Sequence, residues 1–136
     1  MHTAMTTELY WLVLTTLMTA LIFVPYILNR MKEHGSWPAL WNPQPDIHPE
    51  AQWAKRLMRA HANAVENLVV FAPLVLVLQI AGMNTPTTAS ACMVYFFVRL
   101  AHVILYTFAV PLLRSVAFAI GVGCQMVVAL TLLQVL

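Results

Sequence analysis

Four long runs of apolar residues alternate with polar connections along the chain. They cover residues 9–28, 53–80, 89–110 and 112–136, and each is long enough for a helix that crosses the bilayer core, which needs about 20 residues. Hydrophobic residues make up 61% of the sequence and charged residues only 9%, a balance far from that of soluble domains. The pattern therefore predicts an all-α integral membrane protein, with residues 1–136 forming a single four-helix bundle.

The first connection, residues 29–50, is the only long polar one. Its four prolines and one glycine disfavour a regular helix, so we expect an ordered or semi-ordered loop. Trp37 and Trp41 within it suit the headgroup region of a membrane. Most basic residues lie beside this connection, Arg114 lies beside the third, and the second, AGMNTPTTAS, is uncharged. Since basic residues favour the cytoplasmic side, loops one and three are predicted to face the cytoplasm.

The second span begins with a stretch rich in polar residues, RAHANAVEN, at residues 59–67. At about 100° per residue, Arg56, Arg59, Asn63 and Glu66 fall on one face of a helix. His61 points to the opposite side. A polar stripe at the mouth of a membrane span is costly unless it faces a protein interior or a wet cavity, so it indicates a functional site.

The third span repeats this arrangement. Arg99, His102 and Tyr106 stand at i, i+3 and i+7 and share one face of an otherwise apolar helix. Arg114 and Ser115 open the fourth span at the same membrane surface. We therefore expect these side chains to converge with the stripe of the second span in the cytoplasmic half of the bundle.

The converging charges do not balance. Glu66 is the one acid among four arginines, which are Arg56, Arg59, Arg99 and Arg114. Glu66 pairing with Arg59 or Arg99 to hold helices together remains an alternative, but it leaves positive charge in excess. Arginines suit carboxylates, and a lone glutamate suits an ammonium group. A ligand with two carboxylates and one amine, such as glutathione, meets both needs, and a neighbouring guanidinium would favour its thiolate.

These segments resemble a known family. RAHANAVEN, RLAHVILY at residues 99–106 and RS at 114–115 are similar to sequences of the membrane-associated proteins in eicosanoid and glutathione metabolism. That family includes microsomal glutathione transferases and microsomal prostaglandin E synthase. The resemblance covers nearly the whole chain, and it implies a homotrimer of four-helix bundles with glutathione bound between neighbouring subunits near the cytoplasmic surface.

The resemblance also implies roles for residues of the second and third spans. Arg59, Asn63 and Glu66 match glutathione-backbone contacts of the family. His102 and Tyr106 match their companions on the third helix. Two positions depart from the pattern, because residue 62 is an alanine where some relatives have a further arginine, and residue 67 is an asparagine where one branch has a tyrosine. The thiol site is therefore carried over, and a particular lipid substrate is not.

Five further residues receive expected roles from the same resemblance. Arg114 occupies the position of the arginine that stabilises the thiolate, and Ser115 matches a serine beside it in the prostaglandin synthase branch. Arg99 lies on the stripe of the third span as a further glutathione contact. Arg30 resembles an arginine that reaches the site from the adjacent subunit, and His61 is expected either to contribute to the neighbour's pocket or to bind no ligand.

The leading hypothesis is a membrane-bound, glutathione-dependent transferase or peroxidase whose second substrate is hydrophobic and enters from the lipid. The alternative is a non-catalytic trimeric binder that uses the polar cleft for an anionic lipid headgroup or acts as an accessory subunit. A small proton-coupled exporter ranks last, because Glu66 lies among arginines that favour its ionised form.

Partners and location follow from the same observations. A net charge of +2 gives no indication of nucleic-acid binding. Cys92 and Cys124 lie in apolar runs without metal-ligand spacing, so no metal is predicted. Membrane lipids, further copies of the chain and glutathione as a co-substrate are the expected partners, and a bacterial inner membrane is the expected location.

Overall fold

Six helices account for most of the residues that the computed structural model describes, which are 4–41 and 48–136. They are α1 (Thr7–Leu21), α2 (Phe23–His34), α3 (Ser36–Trp41), α4 (Gln52–Ala81), α5 (Pro86–Thr107) and α6 (Pro111–Leu132). Together α1 and α2 form one segment, Thr7–His34, and this segment, α4, α5 and α6 are each long and apolar enough to cross a membrane. The predicted all-α protein with four spans is confirmed.

The first span is divided by a proline and ended by a glycine. Pro25 lacks the backbone N–H that would bond to the carbonyl of Leu21, and the regular helix is interrupted at that point. The second part, α2, continues to His34. Gly35 then adopts a φ of +85° and its N–H donates to the carbonyl of Met31, a conformation that favours glycine.

The predicted loop at residues 29–50 is partly helical, which corrects the expectation. The helix α2 covers its first residues, and α3 lies inside it. Pro38 is the third residue of α3, where the backbone N–H has no partner within the helix, so a proline there removes no hydrogen bond. Trp37 and Trp41 are exposed and stack on each other with ring centroids 4.9 Å apart. Residues 42–47 of the expected loop lie outside the described part.

The two remaining connections are tight turns. Gly82 ends α4 in the left-handed conformation with a φ of +66°, and Thr85 and Thr88 then form a capping box at the start of α5. Pro86 at the first turn of α5 and Pro111 at that of α6 fit positions where no N–H is needed. The expected antiparallel hairpin of the third and fourth spans is present as α5 and α6.

The helix α5 lies at the centre of the bundle and packs on α1, α4 and α6. Two clusters of buried apolar residues line its ends. The first cluster contains Leu12, Phe71, Val75, Leu78, Ala91, Cys92, Tyr95, Cys124 and Val128. The second contains Ile22, Leu57, Ala60, Ala64 and Val103. Along α4 and α5, Glu66, Arg99 and His102 fall between these clusters, and the other polar residues that the sequence singled out lie beside or beyond the second one.

A buried carboxylate connects the first span to the turn between α4 and α5. Glu8 on α1 is buried and accepts hydrogen bonds from Asn84 Nδ2 at 2.7 Å and from Thr88 Oγ1 at 3.1 Å. Asn84 belongs to the turn between α4 and α5, and Thr88 to the first turn of α5. The carboxylate therefore fixes the start of the first span against this turn, where the positive end of the α5 dipole favours it.

Replacing Glu8 by alanine is expected to lower the free energy of unfolding by about 2 kcal/mol, because two hydrogen bonds to a buried carboxylate are lost and Asn84 keeps only its longer bond to Gln79. The measurement is unfolding of the detergent-solubilised protein followed by circular dichroism. Glu50→Ala, which removes an exposed carboxylate, is the control. Equal unfolding midpoints for both variants would contradict the structural role of Glu8.

Candidate functional site

Arg99 is the largest fully buried side chain of the described structure, with 2% of its surface exposed. Its Nη2 donates to Oδ1 of Asn63 on α4 at 2.6 Å. Its Nε is buried, and no acceptor for it exists within residues 4–41 and 48–136. Arg99 lies eight residues before the end of α5 at Thr107, which is about 12 Å along the helix axis at roughly 1.5 Å per residue. The predicted meeting of the polar residues of α4 and α5 thus occurs within the bundle.

A chain of side chains continues from this pair across three helices. Asn67 Nδ2 donates to the main-chain oxygen of Asn63 at 2.8 Å and to its Oδ1 at 3.3 Å. Gln125 Nε2 on α6 donates to the main-chain oxygen of Asn67 at 3.2 Å and approaches Tyr95 Oη at 3.5 Å. These five residues, Asn63, Asn67, Tyr95, Arg99 and Gln125, are called the polar layer below.

A group of aromatic rings beside the polar layer includes the ring that contacts Arg114. His102 is 4% exposed, and its ring lies next to the rings of Tyr106 and Phe118, with centroids 5.7 and 6.1 Å away. Arg114 places its guanidinium carbon 4.6 Å from the centroid of the Tyr106 ring, a cation–π contact. The structure therefore brings His102, Tyr106 and Arg114 together, as the sequence predicts.

Ser115 follows Arg114 but faces outward. Its side chain is exposed, and its hydroxyl donates to the carbonyl of Pro111 in its own helix at 3.4 Å. No contact between this hydroxyl and the Tyr106–Arg114 pair exists in the described structure. The role expected for Ser115 beside a thiol stays a prediction.

The stripe on α4 divides into two faces, which refines the sequence interpretation. Arg56 and Asn63 bond to α5, whereas Arg59 and Glu66 are exposed. At about 100° per residue the four positions spread over about 80° of the helix surface, wide enough to cross from the buried face to the exposed one. The polar stripe therefore extends from the buried face of α4 to its exposed face, and only part of it belongs to the interior of the bundle.

Glu66 has no hydrogen bond or ion pair with any described residue. The alternative in which it neutralises Arg59 or Arg99 within one chain has no such pair to support it. Arg56 is accounted for differently, because its Nε donates at 2.8 Å to the carbonyl of Thr107, at the negative end of the α5 dipole. That leaves Arg59, Arg99 and Arg114, and none of the three pairs with a carboxylate of the described chain.

Arg30 and His61 lie on the side of the first span. Arg30 is half-buried at a small cavity of about 40 Å³ between α2 and the start of α4. His61 Nδ1 is 2.7 Å from Tyr26 Oη, and their rings are 5.8 Å apart. His61 thus has a partner in its own chain, and the roles expected for both residues in a neighbouring subunit stay predictions.

Arg59 lines an open groove of about 410 Å³ at the start of α4. The other residues of the groove are His48, Pro49, Lys55 and Met58. Two of the lining side chains are permanent cations, so the groove attracts anions. Among the described residues, no three histidine, cysteine or acidic side chains lie together as potential metal ligands.

Sequence reasoning missed the part of the polar layer that lies on α6 and in the first half of α5. Gln125 is the one amide within α6, and such a residue in a membrane span is itself a signal of an internal partner. Tyr95 gives a weaker signal, since tyrosine is common in apolar helices.

The fold and the site define a multi-pass integral membrane protein with a buried arginine, Arg99, inside a layer of polar residues that joins three helices. The family model of the MAPEG family matches residues 8–134, and the chain belongs to this family. The family is associated with glutathione and with eicosanoid metabolism. No individual curated protein matches the chain, and the comparisons do not bear out the expectation of a bacterial source.

Proposed function

We propose that the protein is a membrane-bound, glutathione-dependent transferase or peroxidase that acts on hydrophobic electrophiles. One observation carries the proposal: Arg59, Arg99 and Arg114 have no carboxylate partner in the described chain. Guanidinium groups near a membrane interior that lack an internal acid favour an anionic ligand. Membership of a glutathione-associated family supports glutathione as that ligand.

Glu66 supports an amine-bearing ligand in particular. Its carboxylate is exposed and makes no ion pair with the rest of the described chain, and Arg59 is exposed on the same face of α4. This face offers both an acceptor for an ammonium group and a donor for a carboxylate. Glutathione carries both groups. A phosphate headgroup without an amine would have no group that binds the Glu66 carboxylate.

Arg114 is the residue proposed to stabilise the thiolate. Its guanidinium rests on the ring of Tyr106, which fixes the charge in position without neutralising it. With the thiol proton released to solvent, the sulfur attacks an electrophilic carbon, the C–S bond forms and the leaving group departs with its electron pair. In the peroxidase variant two thiols and one hydroperoxide give a disulfide, an alcohol and water.

The surroundings of Arg114 favour a hydrophobic second substrate. Phe108, Leu112, Leu113 and Phe118 near it are exposed apolar side chains. In a membrane such a surface contacts lipid tails. An electrophile dissolved in the bilayer would therefore reach the thiolate from the side, while the charged thiol enters from the cytoplasm, which loops one and three are proposed to face.

A homotrimer is proposed because the outward face of α4 is unpartnered. Seven exposed positions alternate in steps of three and four, the spacing of a helix–helix seam. They are Arg59, Ala62, Glu66, Val69, Pro73, Leu76 and Ile80. Contact of these faces between copies would bring the charges of α4 to a boundary between subunits, beside Arg30 from the first span of a neighbour.

The groove at Arg59 favours a second candidate, a non-catalytic trimer that binds an anionic lipid headgroup or serves as an accessory subunit. His48, Lys55 and Arg59 line this groove, and basic clusters at a membrane surface attract anionic lipids. The two candidates differ in whether the protein binds a free thiol peptide in the absence of lipid phosphate.

Removal of the Arg114 side chain is expected to abolish the thiolate absorbance that appears when the purified protein binds glutathione. Without the cation the thiolate fraction at neutral pH falls about tenfold or more. Arg114→Lys should retain part of the signal, and Lys32→Ala, which removes an exposed cation on α2, should retain all of it. Unchanged absorbance in Arg114→Ala would exclude the assigned role.

Glu66→Gln is expected to weaken glutathione binding about tenfold or more, since a charge-assisted hydrogen bond to the ligand ammonium is lost. Binding of a deaminated glutathione analogue should change little. Isothermal calorimetry on both ligands measures the difference, with Glu50→Gln as the control at an exposed carboxylate off the stripe. Equal losses for the two ligands would contradict the ammonium contact.

Chemical cross-linking in mild detergent is expected to stop at three subunits. Val69→Trp places a large ring in the outward face of α4 and should shift the protein to monomers, whereas Val94→Trp, at an exposed position of α5, should leave the trimer intact. A monomeric wild-type protein, or equal effects of both substitutions, would refute assembly through this face.

A further inference from the structure

The hydrogen bonds of the polar layer fix the orientation of the Asn63 amide. Arg99 Nη2 and Asn67 Nδ2 both approach the same atom of this side chain, at 2.6 and 3.3 Å. Both groups are donors only, so the atom they approach has to be an oxygen. Turning the Asn63 amide over would lose both bonds and would set two donors against Arg99.

Asn67 is held in one orientation for the same reason. Its Nδ2 points at two acceptors, the main-chain oxygen and Oδ1 of Asn63. Gln125 then fixes the helix around it, because its Nε2 donates to the main-chain oxygen of Asn67 and approaches Tyr95 Oη. The helices α4, α5 and α6 are thereby tied together at the level of Asn63.

The remaining polar group of Asn63 is its NH₂ group. Asn63 is half-buried at the edge between the buried and exposed faces of α4. Its Nδ2 has no hydrogen-bond partner among the residues described and is not enclosed. The side chain therefore uses its oxygen for bonds within the bundle and keeps two N–H donors that no described residue accepts.

We propose that Asn67, supported by Gln125, is a positioning residue that makes Asn63 a hydrogen-bond donor toward the ligand. The inference rests on the proposed function and narrows it. Asn63 recognises a carbonyl or carboxylate oxygen of the thiol peptide and disfavours a ligand that offers an N–H at that point. Asn67 and Gln125 act through Asn63 and touch no ligand themselves.

The binding test compares Asn67→Leu with the wild-type protein in detergent. We expect glutathione to bind about tenfold more weakly, the effect of one misaligned hydrogen bond with its partner left unmet. Turnover of a halogenated aromatic with a simple monothiol that lacks a peptide backbone should be unchanged, because Arg114 is untouched. A loss that is equal for both thiols would indicate general damage and would overturn the inference.

Two companion variants keep the test decisive. Gln125→Met removes the donors to Asn67 and Tyr95 at similar volume, and it should weaken glutathione binding in the same direction if Asn67→Leu does not fold. Thr131→Val is the matched control, since Thr131 is also buried on α6 and its hydroxyl bonds to Val127 of the same helix. Wild-type affinity in both polar-layer variants would overturn the positioning role and leave the proposed function standing.

The orientation itself can be measured without ligand. The chain has five asparagines, so selective ¹⁵N-asparagine labelling gives five side-chain amide signals, assigned by single substitutions. The Asn67 amide protons should exchange slowly with solvent and those of Asn63 rapidly. The reverse pattern would overturn the inference. Absence of glutathione binding by the wild-type protein would instead overturn the proposed function, and the exchange pattern would still decide the orientation.

Discussion

The Arg99 guanidinium lies inside a membrane bundle, and its one hydrogen bond to the described residues goes to a neutral amide. A buried charge without an acid partner is costly, so the bundle has to close around it with further polar groups. The polar layer does this across α4, α5 and α6. It shares Tyr95 with the first apolar cluster and ties three helices together at the level of Asn63.

The same constraint connects fold and proposed function. Arg59, Arg99 and Arg114 have no carboxylate partner among the described residues, and they range from the buried Arg99 on α5 to the exposed Arg59 on α4. An enzyme that binds a charged thiol from the cytoplasm and an electrophile from the bilayer needs cationic side chains at the boundary between water and lipid. Membership of the MAPEG family is consistent with this arrangement, and the proposed contact of α4 faces would enclose it.

The fold was largely predictable because hydropathy specifies membrane spans directly. The predicted runs agree with the observed helices to within a few residues, except at the first connection, where α2 reaches His34 and α3 follows. Those helices depend on where each proline falls within a helical turn, which composition does not reveal. The site was predictable in part. Spacing identified Arg99, His102 and Tyr106 as one face of α5, but it assigned the buried and the exposed polar residues of α4 to a single stripe.

The sequence by itself determined that the chain has four runs long and apolar enough to cross a membrane and that arginines outnumber acids among the polar residues at the ends of those runs. Only the tertiary structure decided that Arg99 donates to Asn63, which also accepts from Asn67, and that Gln125 donates to the main chain of Asn67. It also decided that Arg59 and Glu66 are exposed. The physical reason is that lipid tails and a protein interior are about equally apolar. Hydrophobic periodicity therefore shows which residues avoid water. The packing of the helices decides which polar side chains form hydrogen bonds with one another and which are left without a described partner.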